Sequence, residues 1–280
     1  RNQPAWVHAL AHAVNAGLGN HGQCVRFFPA IDTNEPTDLV ADLKELVEAT
    51  DVKTVVIIGG NPVYDAPADF DFAGFLGREG LTSVHFSSHR DETSQLATWH
   101  CPLANELESW GDLLAVDGTY SIQQPLIAPL YDGWSPLQVL AVAADRKESP
   151  YELVRETVRA RYPSAAFERD FRKLLHAGVK EGTTVTGMTG APLFHNEIAQ
   201  AIGSAKAVPV VSKDSLEISF RPDPALWEGR YANDLWALEL PDPMTKIVWD
   251  NAALISVQTA RDLGLRSGQM VKLTVGERSL

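Results

Sequence analysis

The sequence predicts an α/β protein: a doubly wound, mostly parallel sheet domain, then a β-rich, barrel-like domain that reads as truncated. Three observations point there. Thr54-Val55-Val56-Ile57-Ile58 is a continuous β-branched run, as a central parallel strand covered on both faces requires, and Gly59-Gly60-Asn61-Pro62 follows at its carboxyl end. Runs with helical spacing stand before and after it. Toward the C-terminus, short strand-like runs alternate with Pro-rich turns.

Taken in order, residues 5–16 are mostly apolar and read as a largely buried helix. Gly17-Leu18-Gly19-Asn20-His21-Gly22 matches G-x-G-x-x-G in letters only. A dinucleotide fingerprint needs a strand before it and a helix after it, and here a helix precedes and 23–28 reads as a strand. The glycines are read as ending the helix. Residues 34–37 read as a turn, and Leu39, Val40, Leu43, Leu46 and Val47 form one helical face. After the 54–58 strand, Pro67 is read at the first position of a helix whose apolar side is Phe70, Ala73 and Leu76. Strands follow at 81–86 and 98–103, which makes the first half β-α-β in pattern. Ligands in such sheets sit beyond the carboxyl ends of strands, where the Gly59–Pro62 loop lies.

A helix is predicted over 135–144, and two more over 148–178, broken at Tyr162-Pro163-Ser164 with Ser164 as N-cap. Residues 146–180 carry 9 Lys and Arg against 5 Asp and Glu, a solvated helix pair or a basic docking face. Residues 182–190 (GTTVTGMTG) read as a linker without the Gly-Lys-Ser/Thr of a phosphate loop. Beyond it, strands are predicted at 208–211, 216–220, 235–240, 246–249 and 270–275. One helix, 257–263, stands between Ser256 and Gly264. The domains are therefore read as 1–145 (α/β), 146–190 (helical connection and linker) and 191–280 (barrel-like). Neither a signal peptide nor an initiator Met opens the chain, and residues 275–280 stop where a hairpin would turn back. Both ends read as cut, and the barrel's remaining strands are expected beyond Leu280.

Composition narrows the function. The 280 residues are 45% apolar and 21% charged, which fits a soluble globular protein. No apolar run approaches the length of a membrane span. A net charge of −12 argues against nucleic acid. Residues 1–145 hold 6 Lys and Arg against 19 Asp and Glu, whereas 146–280 hold 18 against 17. The acidic half suits solubility or a basic partner. Two cysteines exclude a disulfide scaffold, a four-thiolate zinc site and an iron–sulfur cluster within this chain.

The remaining chemistry is sparse. His8 and His12 have a legal metal spacing but no Glu between them, and read as ordinary helix histidines. His85, His89 and His100, with Asp91 and Glu92, are a second candidate for a metal. Cys24 and Cys101 read as free thiols. Trp99, Trp110 and Trp134 read as core or as an aromatic platform. No metal site is expected.

Three stretches resemble the molybdopterin oxidoreductase superfamily. Ile57-Ile58-Gly59-Gly60-Asn61-Pro62 is similar to its strand and Gly-x-Asn-Pro loop. Asp91-Glu92-Thr93, Ala97 to Ala104 and Glu108-Ser109-Trp110-Gly111 resemble its Glu-Thr, Ala-Asp, Leu-Pro and Glu-x-x-Gly series. Residues 249–256, Ala260, Leu263-Gly264, Ser267-Gly268 and Val271 are similar to its C-terminal dinucleotide-binding barrel. The wording is nearest to one branch, the large iron–sulfur subunit of alternative complex III, at 61–70, 91–94, 98–100, 107–112, 117–119, 124–130 and 241–246. The resemblance covers about 5–145 and 205–280. Thr98 stands where the family has Asp, and His100-Cys101 where aliphatic residues are usual.

That resemblance implies a subunit of a membrane-attached respiratory complex on the periplasmic side of the bacterial inner membrane. Such a complex oxidises quinol and passes electrons to a cytochrome or terminal oxidase. It implies other subunits as partners and iron–sulfur clusters in parts of the full-length protein outside this chain. A molybdopterin guanine dinucleotide is implied for the superfamily and lost in that branch. If the dinucleotide were held, Gly60, Asn61 and Pro62 would offer backbone groups to it, and Glu92, Thr93 and Asn251 polar contacts. The chain alone is expected to be architectural, without catalysis or a cofactor of its own. An active molybdopterin oxidoreductase and a non-enzymatic scaffold are the alternatives.

Overall fold

The computed structural model describes residues 3–29, 39–188, 195–203, 211–212 and 215–280. The turn read at 34–37, most of the strand read at 208–211, and residues 189–190 of the polar stretch lie outside them. The chain is mixed α/β and divides into two compact units, Arg1–Ala205 and Lys206–Leu280. Residues 145 and 190, read as domain boundaries, both fall inside the first unit.

In the first unit, α1 (Ala5–Gly17) ends at Leu18, and Gly19 follows at φ +69°. Residues 23–28 are not a strand. The Asn20 carbonyl accepts the N–H groups of Gln23, Cys24 and Val25, which winds this stretch into a turn. Next, α2 (Leu39–Glu48) leads to β1 (Thr54–Ile58). The connection to β2 (Thr82–Ser87) holds α3 (Pro62–Asp65) and α4 (Phe72–Leu76), and α5 (Glu92–Leu96) joins β2 to β3 (Trp99–Pro102). The proline at a helix start is Pro62. Pro67 lies in the loop between α3 and α4, and Asp71, accepting the Gly74 N–H at 2.8 Å, opens α4 instead.

The three strands are parallel in the order β1-β2-β3, with Val55 opposite Ser83, Ile57 opposite His85, and His85 opposite His100. So β1 is an edge strand and β2 is central. A β-branched run identifies a strand but not its neighbours. One face of β1 is well covered: Val55 packs with Val47, Phe72, Phe75 and Leu76. The Arg78 guanidinium lies 5.0 Å from the Phe75 ring and bonds the Val47 and Ala49 carbonyls at the end of α2. On the other face Val56 and Trp99 are 51% and 63% exposed, so the described residues do not cover it with a second helical layer.

A second sheet is antiparallel: β4 (Gly111–Leu114), β5 (Tyr120–Gln123) and β6 (Val179–Lys180). Helix α6 (Pro136–Ala143) precedes α7 (Pro150–Arg161) and α8 (Phe167–Ala177). Tyr120 and Ile122 pack against Val154, Val158, Phe171 and Leu174. Ser164 lies outside the N-cap position, taken by Ala166, though its hydroxyl accepts the Ala166 N–H and donates to Asp170. The polar stretch after β6 is no free linker. Thr183 Oγ1 accepts the Tyr120 N–H, the Val185 N–H bonds the Asp117 carbonyl, and Met188 pairs with Phe27. Helix α9 (His195–Gly203) packs with α1.

The second unit holds α10 (Leu235–Glu239), α11 (Val257–Asp262) and a hairpin of β7 (Thr274–Val275) with β8 (Arg278–Ser279). Helix α11 stands where it was read, capped by Ser256 and followed by Gly264 at φ +67°. Residues 235–239 are helical rather than extended: Asp234 accepts the Trp236 and Ala237 N–H groups, and Leu, Ala and Glu are good helix formers. Residues 216–220 and 246–249 form no strand. The 274–275 strand finds its partner within the chain, because Gly276 at φ +60° turns it straight back. No closed barrel occurs among the described residues.

Candidate functional site

The residues singled out at 60–62 and 92–93 come together where β1 and β2 end. Asn61 is the centre. Its Oδ1 accepts the Thr93 hydroxyl at 2.7 Å and the Thr93 N–H at 3.1 Å, and its Nδ2 donates to Glu92 Oε2 at 2.6 Å. Thr93 Oγ1 in turn accepts the Val63 N–H at 3.0 Å. Thr93 is fully buried and Glu92 exposed. The local geometry follows from sequence: Gly59 and Gly60, both near φ +70°, let the chain leave β1 sharply, and Pro62 starts α3. Asp91 caps α5 by accepting the Ser94 N–H, which fixes Glu92 and Thr93 against Asn61.

Beneath this clamp lies a polar layer. The buried residues of β2 are Ser83, His85 and Ser87, alternating with Val84 and Phe86. Ser83 is tied to Thr98, its hydroxyl accepting the Thr98 N–H at 2.9 Å. His85 has no solvent exposure. Its Nε2 lies 3.0 Å from the Gly60 carbonyl and its Nδ1 2.9 Å from Ser94 Oγ. A carbonyl only accepts, so Nε2 carries a proton; in the neutral ring Nδ1 accepts the Ser94 hydroxyl proton, for which Asp91 Oδ1, 2.9 Å from Ser94 Oγ, competes. Burial pushes the His85 pKa below its ordinary value, against the opposing pull of Asp91, whose Oδ1 is 3.5 Å from Nδ1. The ring is therefore neutral at neutral pH. Ser87 Oγ donates to the His89 carbonyl. A histidine accepting from a serine is the arrangement that activates a nucleophile, but both groups are sealed from solvent here.

His85 is thus the site residue that the reading of 60–62 and 92–93 missed, and the signal for it was the Ser-x-His-x-Ser alternation within 83–87. Neither metal reading assembles. His85 spends both ring nitrogens on the network, and no group of three His, Cys, Asp or Glu capable of holding a metal occurs among the described residues. His8 and His12 are exposed. Cys24 and Cys101 are free thiols. Trp110 packs edge-on to Tyr151, 5.0 Å between ring centroids, within the second core. Asn251 is exposed in the second unit, its N–H bonded to Asp250 Oδ1.

The side chains of this cluster are committed largely to one another, whereas the backbone N–H groups of Gly60 and Asn61 have no partner among the described residues. The Gly60 carbonyl is taken by His85, both polar ends of the Asn61 side chain are taken by Glu92 and Thr93, and Pro62 has no N–H. No helix among the described residues is long and apolar enough to cross a membrane. No protein-family model matches the chain, and no curated protein matches it.

Proposed function

We propose that this chain is an architectural part of a molybdopterin-oxidoreductase-like subunit in a membrane-attached, quinol-oxidising respiratory complex of the alternative complex III type. Its redox centres, iron–sulfur clusters, lie elsewhere in the full-length protein, and it faces the periplasm with other subunits as partners. The reading includes a dinucleotide-binding-type barrel for residues 191–280. The sequence resemblance supplies the family. One structural observation supports the architectural role: the Asn61 side chain bonds Glu92 through Nδ2 and Thr93 through Oδ1, so it ties the loop to the helix that follows β2. Loop and helix are held to each other at the ends of β1 and β2.

The alternative, an active dinucleotide-holding oxidoreductase, draws on the position of the cluster at the carboxyl ends of parallel strands and on the exposed Glu92. The test of the main reading is purification of the intact complex from membranes through a tag on the full-length protein. Quinol-dependent reduction of an electron acceptor, with iron in the preparation, is the expected result. A tagged protein that leaves the membrane free of other subunits and without quinol oxidation contradicts it.

A further inference from the structure

A separate surface of the first unit carries an inference that does not depend on the family reading. Residues 91–145 contain no Lys or Arg and eight Asp or Glu. The nearest cation after them, Arg146, is bound by Glu148 at 2.9 Å and Glu156 at 2.6 Å, and it holds the Glu148 carboxyl down at about 2. Within this cation-free stretch, Leu107, Leu126, Leu130 and Tyr131 are 57%, 77%, 70% and 80% exposed. Leaving that much apolar side chain in water is unfavourable, and covering it with a partner removes that cost.

The loop that displays them is held in place. The Leu107 carbonyl accepts the Leu126 N–H at 2.7 Å, and Glu108 spans from the Asn105 N–H at 2.9 Å to the Leu130 N–H at 3.2 Å. Gln124 Nε2 donates to the Leu175 carbonyl at 2.7 Å, anchoring the loop to α8. Pro125 and Pro129 restrict its backbone further. Beside the loop is an open hollow of about 430 Å³, walled by Trp110, Pro125, Ile127, Pro129 and Pro150. Apolar side chains on a backbone already ordered by long-range hydrogen bonds bind at little further entropic cost.

We infer that the 124–131 loop, with Leu107 and the hollow at Trp110, is a docking face for a basic amphipathic protein segment, its apolar residues seated on Leu126 and Leu130 and its Lys or Arg residues facing the acidic surround. Charge selects this occupant. Glu108 lines the hollow, Glu106 and Glu108 flank Leu107 in sequence and Asp132 follows Tyr131, with no Lys or Arg within residues 91–145. A second copy meeting the same face would set like charges together, whereas a basic segment gains both encounter rate and specificity.

The experiment titrates the 280-residue chain, labelled at Ile, Leu and Val methyls, with a synthetic amphipathic helix of Leu and Lys. A matched helix of Leu and Glu is the control. Saturable shifts are expected at Leu107, Leu126, Ile127 and Leu130 with the Lys peptide only, weakening with added salt. Leu126→Asp with Leu130→Asp weakens binding about tenfold or more, while the methyls of Val154, Val158 and Leu174 show an unchanged fold. Equal binding of the Glu peptide, no saturable binding, or shifts confined to other methyls overturns the inference. So does a concentration-dependent dimer abolished by the double substitution, which assigns the face to a second copy. Methyls of Leu126 and Leu130 shielded from a soluble paramagnetic agent in the free chain also overturn it, because another part of the chain then covers the face.

Discussion

At the scale of single residues, His85 and Asn61 make opposite uses of hydrogen bonding. His85 is buried and neutral, with a folded pKa below the 6.5 of the free side chain. Below 6.5 the unfolded chain takes up the proton first, so the stability that the neutral ring provides is complete above 6.5 and is lost as pH falls toward the folded value. Urea unfolding across that window should show stability falling with acid. The His85→Gln variant should lose this component and, with one of its buried partners left unpaired, sit about 1–3 kcal/mol lower at neutral pH. A parallel pH profile in both proteins would contradict the assignment. Asn61→Ala strands the buried Thr93 N–H and hydroxyl together, and the expected cost is roughly 2–4 kcal/mol in the same assay. Spacing and residue type made only the Gly59–Pro62 loop legible, as the end of a strand; Glu92 and Thr93 were joined to Asn61 through the family resemblance, together with Asn251, which lies in the second unit. Sequence could not show that the polar atoms of Asn61, Glu92 and Thr93 face one another, since that depends on strands 1 and 2 being neighbours. His85 was grouped with His89 and His100 as a metal candidate instead: the Ser-x-His-x-Ser alternation marks a polar face of the strand but not that this face is the buried one.

At the scale of elements, local chemistry and pairing parted company. Helices with strong caps stood where they were read, as with Ser135 before α6 and Ser256 before α11. Of the strands read in the last 75 residues, 235–240 failed because Asp234 caps a helix there, and 270–275 keeps only its last two residues, which Gly276 turns back into a hairpin. The 182–188 stretch looked like a linker because its residues are small and polar, yet those hydroxyls are what bind it to residues 117–120. Gly118 shows how close that contact is. A Cβ there would lie 2.5 Å from Val185 Cγ2 and 3.0 Å from the Thr183 carbonyl, at φ +83°. Gly80 has a similar φ of +81° with open space around it. Gly80→Ala should therefore cost only the backbone strain, about 1 kcal/mol, and Gly118→Ala about 2 kcal/mol or more, by thermal or urea unfolding. Equal losses would mean that the 183–185 segment is not seated against Gly118.

At the scale of the whole molecule, burial is concentrated in the first unit. Its two cores, around Phe75 and around Tyr120, hold most of the buried apolar residues, and no described residue of the second unit is buried. Hydrogen exchange on the isolated chain should show lasting protection in β2, β5, α7 and α8 and little across residues 215–280. Strong protection at Val257–Asp262 would show a core in the second unit that burial does not indicate. The central proposal is that the Asn61 cluster ties loop to helix in an architectural subunit and does not seat a pterin dinucleotide. The most direct test is the amount of molybdenum and of GMP released by acid hydrolysis, per copy of this chain, from the intact membrane complex. The account predicts both well below one per chain. One molybdenum with two GMP per chain, as a paired dinucleotide cofactor would give, contradicts it.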